Sequence, residues 1–263
     1  MQASPPVSFN DGATYEAFMG GWSRLVGEQF LHWLAAPAGW RWADVGCGNG
    51  AFTELVVQRC APAEVCGIDP SPQQIAFARQ RFAGAPVRFV EGDAMALPWP
   101  DASFDAATSA LVIFFVPDAP GAVVEMARVI RPGGGVCAYA WDLLGGGFPL
   151  EPIQAEMRAM GLTPVLPPSA GASRMEALRS LWMTAGLRAV EAREITVQRT
   201  FNDFEDFWTT SLLSAGIRLN IAEMDSQGLE RLKAGVRTRL PADAAGRITY
   251  SARANAIRGR VPM

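Results

Sequence analysis

The chain has 263 residues, 23 of them basic and 26 acidic, for a formal net charge of −3. That length suits one large domain or a domain with a small appendage. The near-balanced charge provides no global field for holding nucleic acid or an anionic membrane. Hydrophobic residues make up 49% and charged residues 19%, which favours a sizeable core with room for an apolar pocket.

The densest apolar run, residues 111–116, is far shorter than the ~20 residues that cross a bilayer and suits the end of a buried strand. The N-terminal residues carry neither a basic nor an apolar segment, so no signal peptide is expected. Cys47, Cys60, Cys66 and Cys137 show no paired spacing. They read as separate reduced thiols in a cytoplasmic protein.

In chain order, residues 13–36 form a helical stretch ended by Pro37 and Gly39. Residues 41–46 read as a strand and 51–59 as a helix that buries Phe52, Leu55 and Val56. A second strand spans 65–69. Ser71, Pro72 and Gln74 then open a helix as N-cap, first-turn proline and capping-box partner. Strands are expected at 87–90 and from 104–109 onward. A helix over 118–129 stops at Arg131, Pro132, Gly133 and Gly134, and a fifth strand spans 136–141. Such alternation implies a doubly wound α/β fold with a mainly parallel, seven-stranded sheet.

After Asp142 the rhythm changes. Helices are expected near 151–160 and 173–185, then a strand over 188–197. Residues 202–240 look helical, and a last strand lies near 247–254. Segments 142–170 and 201–244 read as a lid over the carboxyl edge of the sheet. Residues 1–38 form an N-terminal helical segment, and 39–263 the main domain.

The most informative stretch runs from Asp44 through Gly46, Cys47, Gly48 and Asn49 to Gly50: a strand, a glycine turn and a helix start. Glycines let the backbone turn sharply and approach a ligand closely. Gly46, Gly48 and Ala51, with Asp69 downstream, also satisfy the dinucleotide fingerprint. Charge separates the candidate ligands. A pyrophosphate would be repelled by Asp44, a strand aspartate that is costly to bury without hydrogen bonds or a cation. S-adenosylmethionine brings a sulfonium and an ammonium and no phosphate. Asp69 is placed to accept from ribose hydroxyls, and Asp93 from an adenine amino group beside the Ala94 amide.

Together with Gly67, Pro70, Ser71, Gly92, Pro98, Phe104, Asp105 and residues 131–134, this ordered set resembles class I S-adenosylmethionine-dependent methyltransferases. Within them it is most similar to small-molecule enzymes related to ubiquinone/menaquinone-biosynthesis methyltransferases. The resemblance spans about residues 40–142. It implies that Asp44 and the loop Gly46, Cys47, Gly48, Asn49 and Gly50 meet the methionyl part, Asp69 and Pro70 the ribose, and Asp93 and Ala94 the adenine. Ser109 and Leu111 would lie beside the transferable methyl. Tyr15, Met19, Trp22 and Arg24 would fold over the methionine moiety. The expected partner is a small-molecule acceptor rather than nucleic acid, and the oligomeric state is open.

The alternatives are an NAD(P)-dependent oxidoreductase or a non-catalytic nucleoside-binding protein of the same fold. No metal cluster is expected, and no Gly-x-Ser-x-Gly elbow supports a hydrolase. His32 reads as a packed or surface residue, and Cys47 as a space-filler. Asp142, Trp141 and Ser109 are candidates to face the acceptor. Phe201, Phe204, Phe207, Trp208, Leu212 and Leu213 recur at near-helical spacing, either as core or as the roof of the acceptor pocket. The basic residues from Arg231 onward read as a solvated surface.

Overall fold

The computed structural model describes residues 16–82, 86–222 and 224–263. The first five strands alternate with helices except between the third and fourth, which a loop joins. They are β1 (Arg41–Val45), β2 (Glu64–Asp69), β3 (Val87–Glu91), β4 (Phe104–Ala110) and β5 (Ile130–Trp141). Between them lie α2 (Ala51–Cys60), α3 (Pro72–Arg81) and α4 (Ala119–Arg128), and α1 (Gly21–Leu34) precedes β1 behind a π-helical turn, Glu16–Gly20. The expected N-cap of α3 is present, Gln74 N donating to Ser71 Oγ at 3.3 Å, but the expected capping box is not. The Ser71 amide itself donates to Asp69 Oδ1 at 2.9 Å, which ties the helix start to the end of β2.

Beyond β5 come α5 (Glu151–Ala159), α6 (Met175–Thr184), β6 (Arg188–Phe201), α7 (Phe204–Ser211), α8 (Ala215–Ile221), α9 (Ser226–Arg239) and β7 (Ile248–Arg260). The seven strands make one sheet in the order β3-β2-β1-β4-β5-β7-β6. β1 to β5 pair in parallel, while β7 runs antiparallel to both β5 and β6. The strand order reverses between β1 and β4, and a crevice at the carboxyl ends of such a switch point is where open α/β sheets bind ligands.

Because β6 runs in the direction of β5, the ends of β5 and β6 and the start of β7 share that carboxyl edge. Segments 142–170 and 201–244 therefore both emerge there. They touch each other: Arg239 Nε meets Glu156 Oε2 at 2.8 Å, and Asn220 Oδ1 accepts from the Val165 amide at 3.4 Å.

Three strands exceed the sequence expectation, each for a non-local reason. β5 begins at Ile130 because Arg131–Gly134 forms an irregularity inside the strand instead of a break; Phe104 pairs with Ile130 and Ala106 already with Gly135. Gly133 takes φ +75, and its amide donates to Val261 O at the far end of the chain. β6 and β7 lengthen because they pair with each other from Phe201↔Ile248 to Arg188↔Arg260.

Most buried side chains form one core, and Cys47, Ile75, Ala78 and Phe89 form a smaller separate cluster. Tyr139 of β5 meets Phe30 of α1 at 4.7 Å and Phe52 of α2 at 5.6 Å between ring centroids. Gly27 lets α1 approach α2, since a Cβ there would lie 2.7 Å from Leu55 Cδ1. No described helix is long and apolar enough to cross a membrane.

Candidate active site

The glycine loop is folded back onto β2. The amides of Gly46 and Cys47 both donate to Ile68 O, at 2.8 and 3.0 Å, and the Gly48 amide donates to Asp69 Oδ2 at 3.0 Å. Gly46 has φ +78, and a Cβ there would stand 2.4 Å from Val112 Cγ1, so no side chain fits. Gly48 has φ +52 but nothing within 4 Å of an added Cβ. The first glycine lets the turn pack closely; the second leaves backbone bare beside an open space.

Asp44 is 1% exposed. Its Oδ2 accepts from Thr53 Oγ1 of α2 at 2.5 Å, while Oδ1 has no hydrogen-bond partner among the described residues. Burial pushes the carboxyl up to about 7; the Thr53 hydroxyl pulls it down, and the nearby Asp69 charge raises it again. Asp69 accepts from the Gly48 and Ser71 amides. Burial raises its pKa against the pull of those two bonds. Asp93 is exposed in the turn after β3, where Oδ1 accepts from the Met95 amide at 2.9 Å.

The N-terminal turn is latched to this loop. Asn49 Oδ1 accepts from the Ala51 amide, and Asn49 Nδ2 donates to Glu16 Oε2 at 3.2 Å. Arg81 of α3 pairs with Glu16 at 3.5 Å and with Glu54 at 2.5 Å. Arg199 of β6 donates to Phe18 O at 3.2 Å and lies over the Phe201 ring.

A cavity of about 90 Å³ opens where β4 and β5 end. Phe18 and Met19 of the N-terminal turn, Leu111 after β4, Trp141 of β5 and Gln154 of α5 contribute to its wall. Leu111 is not a glycine yet has φ +63, and its amide is fixed to Tyr139 O at 2.8 Å. Left-handed backbone at a leucine is strained, and such strain concentrates at functional sites.

The structure places the other expected residues differently. Trp22 is 2% exposed and packs on Tyr250 and Phe201, at 5.0 and 6.5 Å, as core. Arg24 points to solvent and pairs with Glu28. Ser109 is buried in β4 opposite Ala138 and does not reach the cavity wall. Asp142 is engaged locally: Arg253 Nη2 donates to its Oδ2 at 2.6 Å and the Gly145 amide to its Oδ1 at 3.0 Å, and it does not line the cavity. Tyr15 lies outside the described residues. Cys47 is buried with its thiol pushed up by burial, in keeping with a space-filler, and His32 lies exposed on α1.

The aromatic series 201–213 resolves to core. Phe201, Phe207 and Tyr250 interlock at 5.5–5.9 Å, Phe204 stacks on Trp208 at 6.1 Å, and none of the six lines the cavity. Residues 165–167 and 214–220 lie over the cavity instead. The late basic residues are largely paired with acids, as in Lys233 and Arg237 with Glu205 and Arg258 with Glu191. Among the described residues no group of histidine, cysteine or acidic side chains could hold a metal ion.

Thr53, Glu16, Phe18, Gln154 and Arg199 were not legible as site residues. Thr53 shares a helix face with the apolar Phe52 and Val56, and only its bond to Asp44 reveals a role. The other four come from segments brought in by tertiary packing.

Residues 43–138 match the family profile of the methyltransferase domain. The demethylmenaquinone methyltransferase of Deinococcus radiodurans is 41% identical over 117 residues, which cover 43% of this chain and 46% of that protein. The fatty-acid O-methyltransferase of Mycolicibacterium smegmatis is 38% identical over 109 residues, 40% of each chain. These matches span less than half the length of either relative. In three dimensions, a putative methyltransferase from Bacillus halodurans C-125 superposes with a TM-score of 0.61 at 16% identity. The match covers 90% of this chain and 99% of that one, so the shared fold extends well beyond residues 43–138.

Proposed function

We propose that this chain is an S-adenosylmethionine-dependent methyltransferase acting on a small, partly apolar molecule. The observation that carries this reading is the Asp44 carboxylate: buried, bonded on one oxygen only, and beside a loop whose Gly48 opens onto free space. A buried acid with an unsatisfied oxygen calls for a cationic or hydrogen-bond-donating ligand, and a dinucleotide pyrophosphate is neither. The residues present therefore fit the methyl donor. The NAD(P)-dependent alternative has no hydride-transfer pair here to support it.

In this reading Asp44 and the backbone of Gly46, Cys47, Gly48, Asn49 and Gly50 hold the methionyl end. Asp69, with Pro70, serves the ribose while keeping the Gly48 amide in place, and Asp93 and Ala94 serve the adenine. Met19 and Leu111 stand at the boundary with the cavity. When bound, the donor supplies a methyl group already activated on a sulfonium. The protein's task is then alignment and exclusion of water, and orientation of that kind is worth roughly 7–11 kcal/mol. Segments 142–170 and 201–244 act as the lid that closes the acceptor side, and residues 16–38 cover the donor side. Four free, buried cysteines suit a reducing, cytoplasmic compartment.

Calorimetric titration with S-adenosylmethionine, S-adenosylhomocysteine and NAD tests the proposal. Heat with the first two and none with NAD is expected; the reverse pattern would overturn it.

A further inference from the structure

The cavity at the ends of β4 and β5 has an unusual wall. No ionisable side chain lines it among the described residues; Phe18, Phe114, Leu111 and Ile217 are typical of its surface. Four polar side chains do reach it. Two are already committed: Asn220 bonds to the Val165 amide and Thr163 O, and Ser214 Oγ accepts from the Ile217 amide. The other two are not. Trp141 is 1% exposed, and its indole N–H has no partner among the described residues. Gln154 is 6% exposed on the inner face of α5, and its side-chain amide makes no hydrogen bond among the described residues.

Buried polar groups are nearly always satisfied, so the unpartnered Trp141 N–H demands an account, and the Gln154 amide in the same wall is free to meet a ligand oxygen. From this we infer that the cavity selects an uncharged molecule with an apolar body and one hydroxyl or carbonyl oxygen, bonded by Gln154 and Trp141. The inference rests on the methyltransferase reading in treating this cavity as the acceptor site.

The physical case has two halves. A carboxylate, phosphate or ammonium would surrender its hydration without meeting an opposite charge in the wall, so charged acceptors are rejected. A site whose buried donors await an oxygen also discriminates strongly against the analogue that lacks it, because that analogue leaves the donors unpaired. Gln154 and Trp141 are thus specificity residues, and the hydrocarbon wall supplies the rest of the affinity.

Four probes of one shape separate these effects: 2-naphthol, naphthalene, 2-naphthoate and 2-naphthylmethylammonium. Each is titrated calorimetrically into protein saturated with S-adenosylhomocysteine, whose own binding is measured first. Wild type should bind 2-naphthol at least tenfold more tightly than naphthalene and the two ions at least a hundredfold more weakly than 2-naphthol. Gln154→Leu and Trp141→Phe should each erase most of the naphthol preference while leaving naphthalene affinity within about threefold. Binding of either ion as tight as that of 2-naphthol would overturn the inference. So would no 2-naphthol binding, or an undiminished preference in both variants. Failure of S-adenosylhomocysteine to bind would instead count against the methyltransferase reading, so the two failures are distinguishable.

Discussion

Replacing Asp44 with asparagine should make the protein more stable and, in the same step, unable to hold the donor. Burial shifts this carboxyl from 3.8 to about 7. At 1.36 kcal/mol per tenfold, the ionised form therefore costs the folded state about 4 kcal/mol at pH 8.5. Asparagine can still accept from Thr53 but leaves an amide N–H₂ unpaired, a cost of about 1–3 kcal/mol. The expected net gain at that pH is about 1–3 kcal/mol on the same scale.

The sign follows from linkage. Because the folded pKa lies above the unfolded one, the native state binds the extra proton, and stability is lost as pH rises from about 4 through about 7. The advantage of Asp44→Asn should thus shrink by about 2 kcal/mol between pH 8.5 and pH 5.5. Donor binding runs the other way. It needs the ionised carboxylate, so wild-type affinity should be flat above pH 7 and fall about tenfold per unit below it. Urea titrations at both pH values and calorimetry with S-adenosylmethionine measure the two quantities. A variant that is destabilised equally at both pH values, or that retains donor affinity, would refute the argument.

Three further outcomes are expected. Asp69→Ala strips the acceptor from the Gly48 and Ser71 amides and should cost about 1–3 kcal/mol of stability. Its donor affinity should drop at least tenfold by calorimetry, and unchanged affinity would remove Asp69 from the site. Gly46→Ala forces a Cβ to 2.4 Å from Val112 at φ +78, costing about 2–4 kcal/mol from left-handed strain and overpacking. Val112→Ala removes the two methyl clashes but keeps a Cβ 2.9 Å away, so it should return only part of the overpacking cost in a double-mutant urea titration. Phe207→Ala empties a fully buried core position and should cost about 3–5 kcal/mol with little change in acceptor KM, whereas a large KM change at retained stability would restore 201–213 as pocket wall.

Much of this protein is set by local chemistry and could be read residue by residue. The strand-turn-helix from Asp44 to Ala51 announces itself because φ > 0 glycines, a buried acid and a switch in hydrophobic period fall together. Ser71 and Asp118 mark their helix starts because a cap needs only its own side chain and an amide three residues on. What stayed hidden depends on partners far away in the chain. The strand through Gly133 exists because Val261 pairs with it. Asp142 turns inward because Arg253, on a strand laid down at the end of the chain, neutralises it. An aromatic series at helical spacing looks the same whether it meets Tyr250 or a ligand, so only packing assigned 201–213 to the core. In the proposed reading the donor half of the site is encoded by contiguous loops at successive strand ends, and the acceptor half by the N-terminal turn and two distant insertions, whose meeting is decided by tertiary contacts.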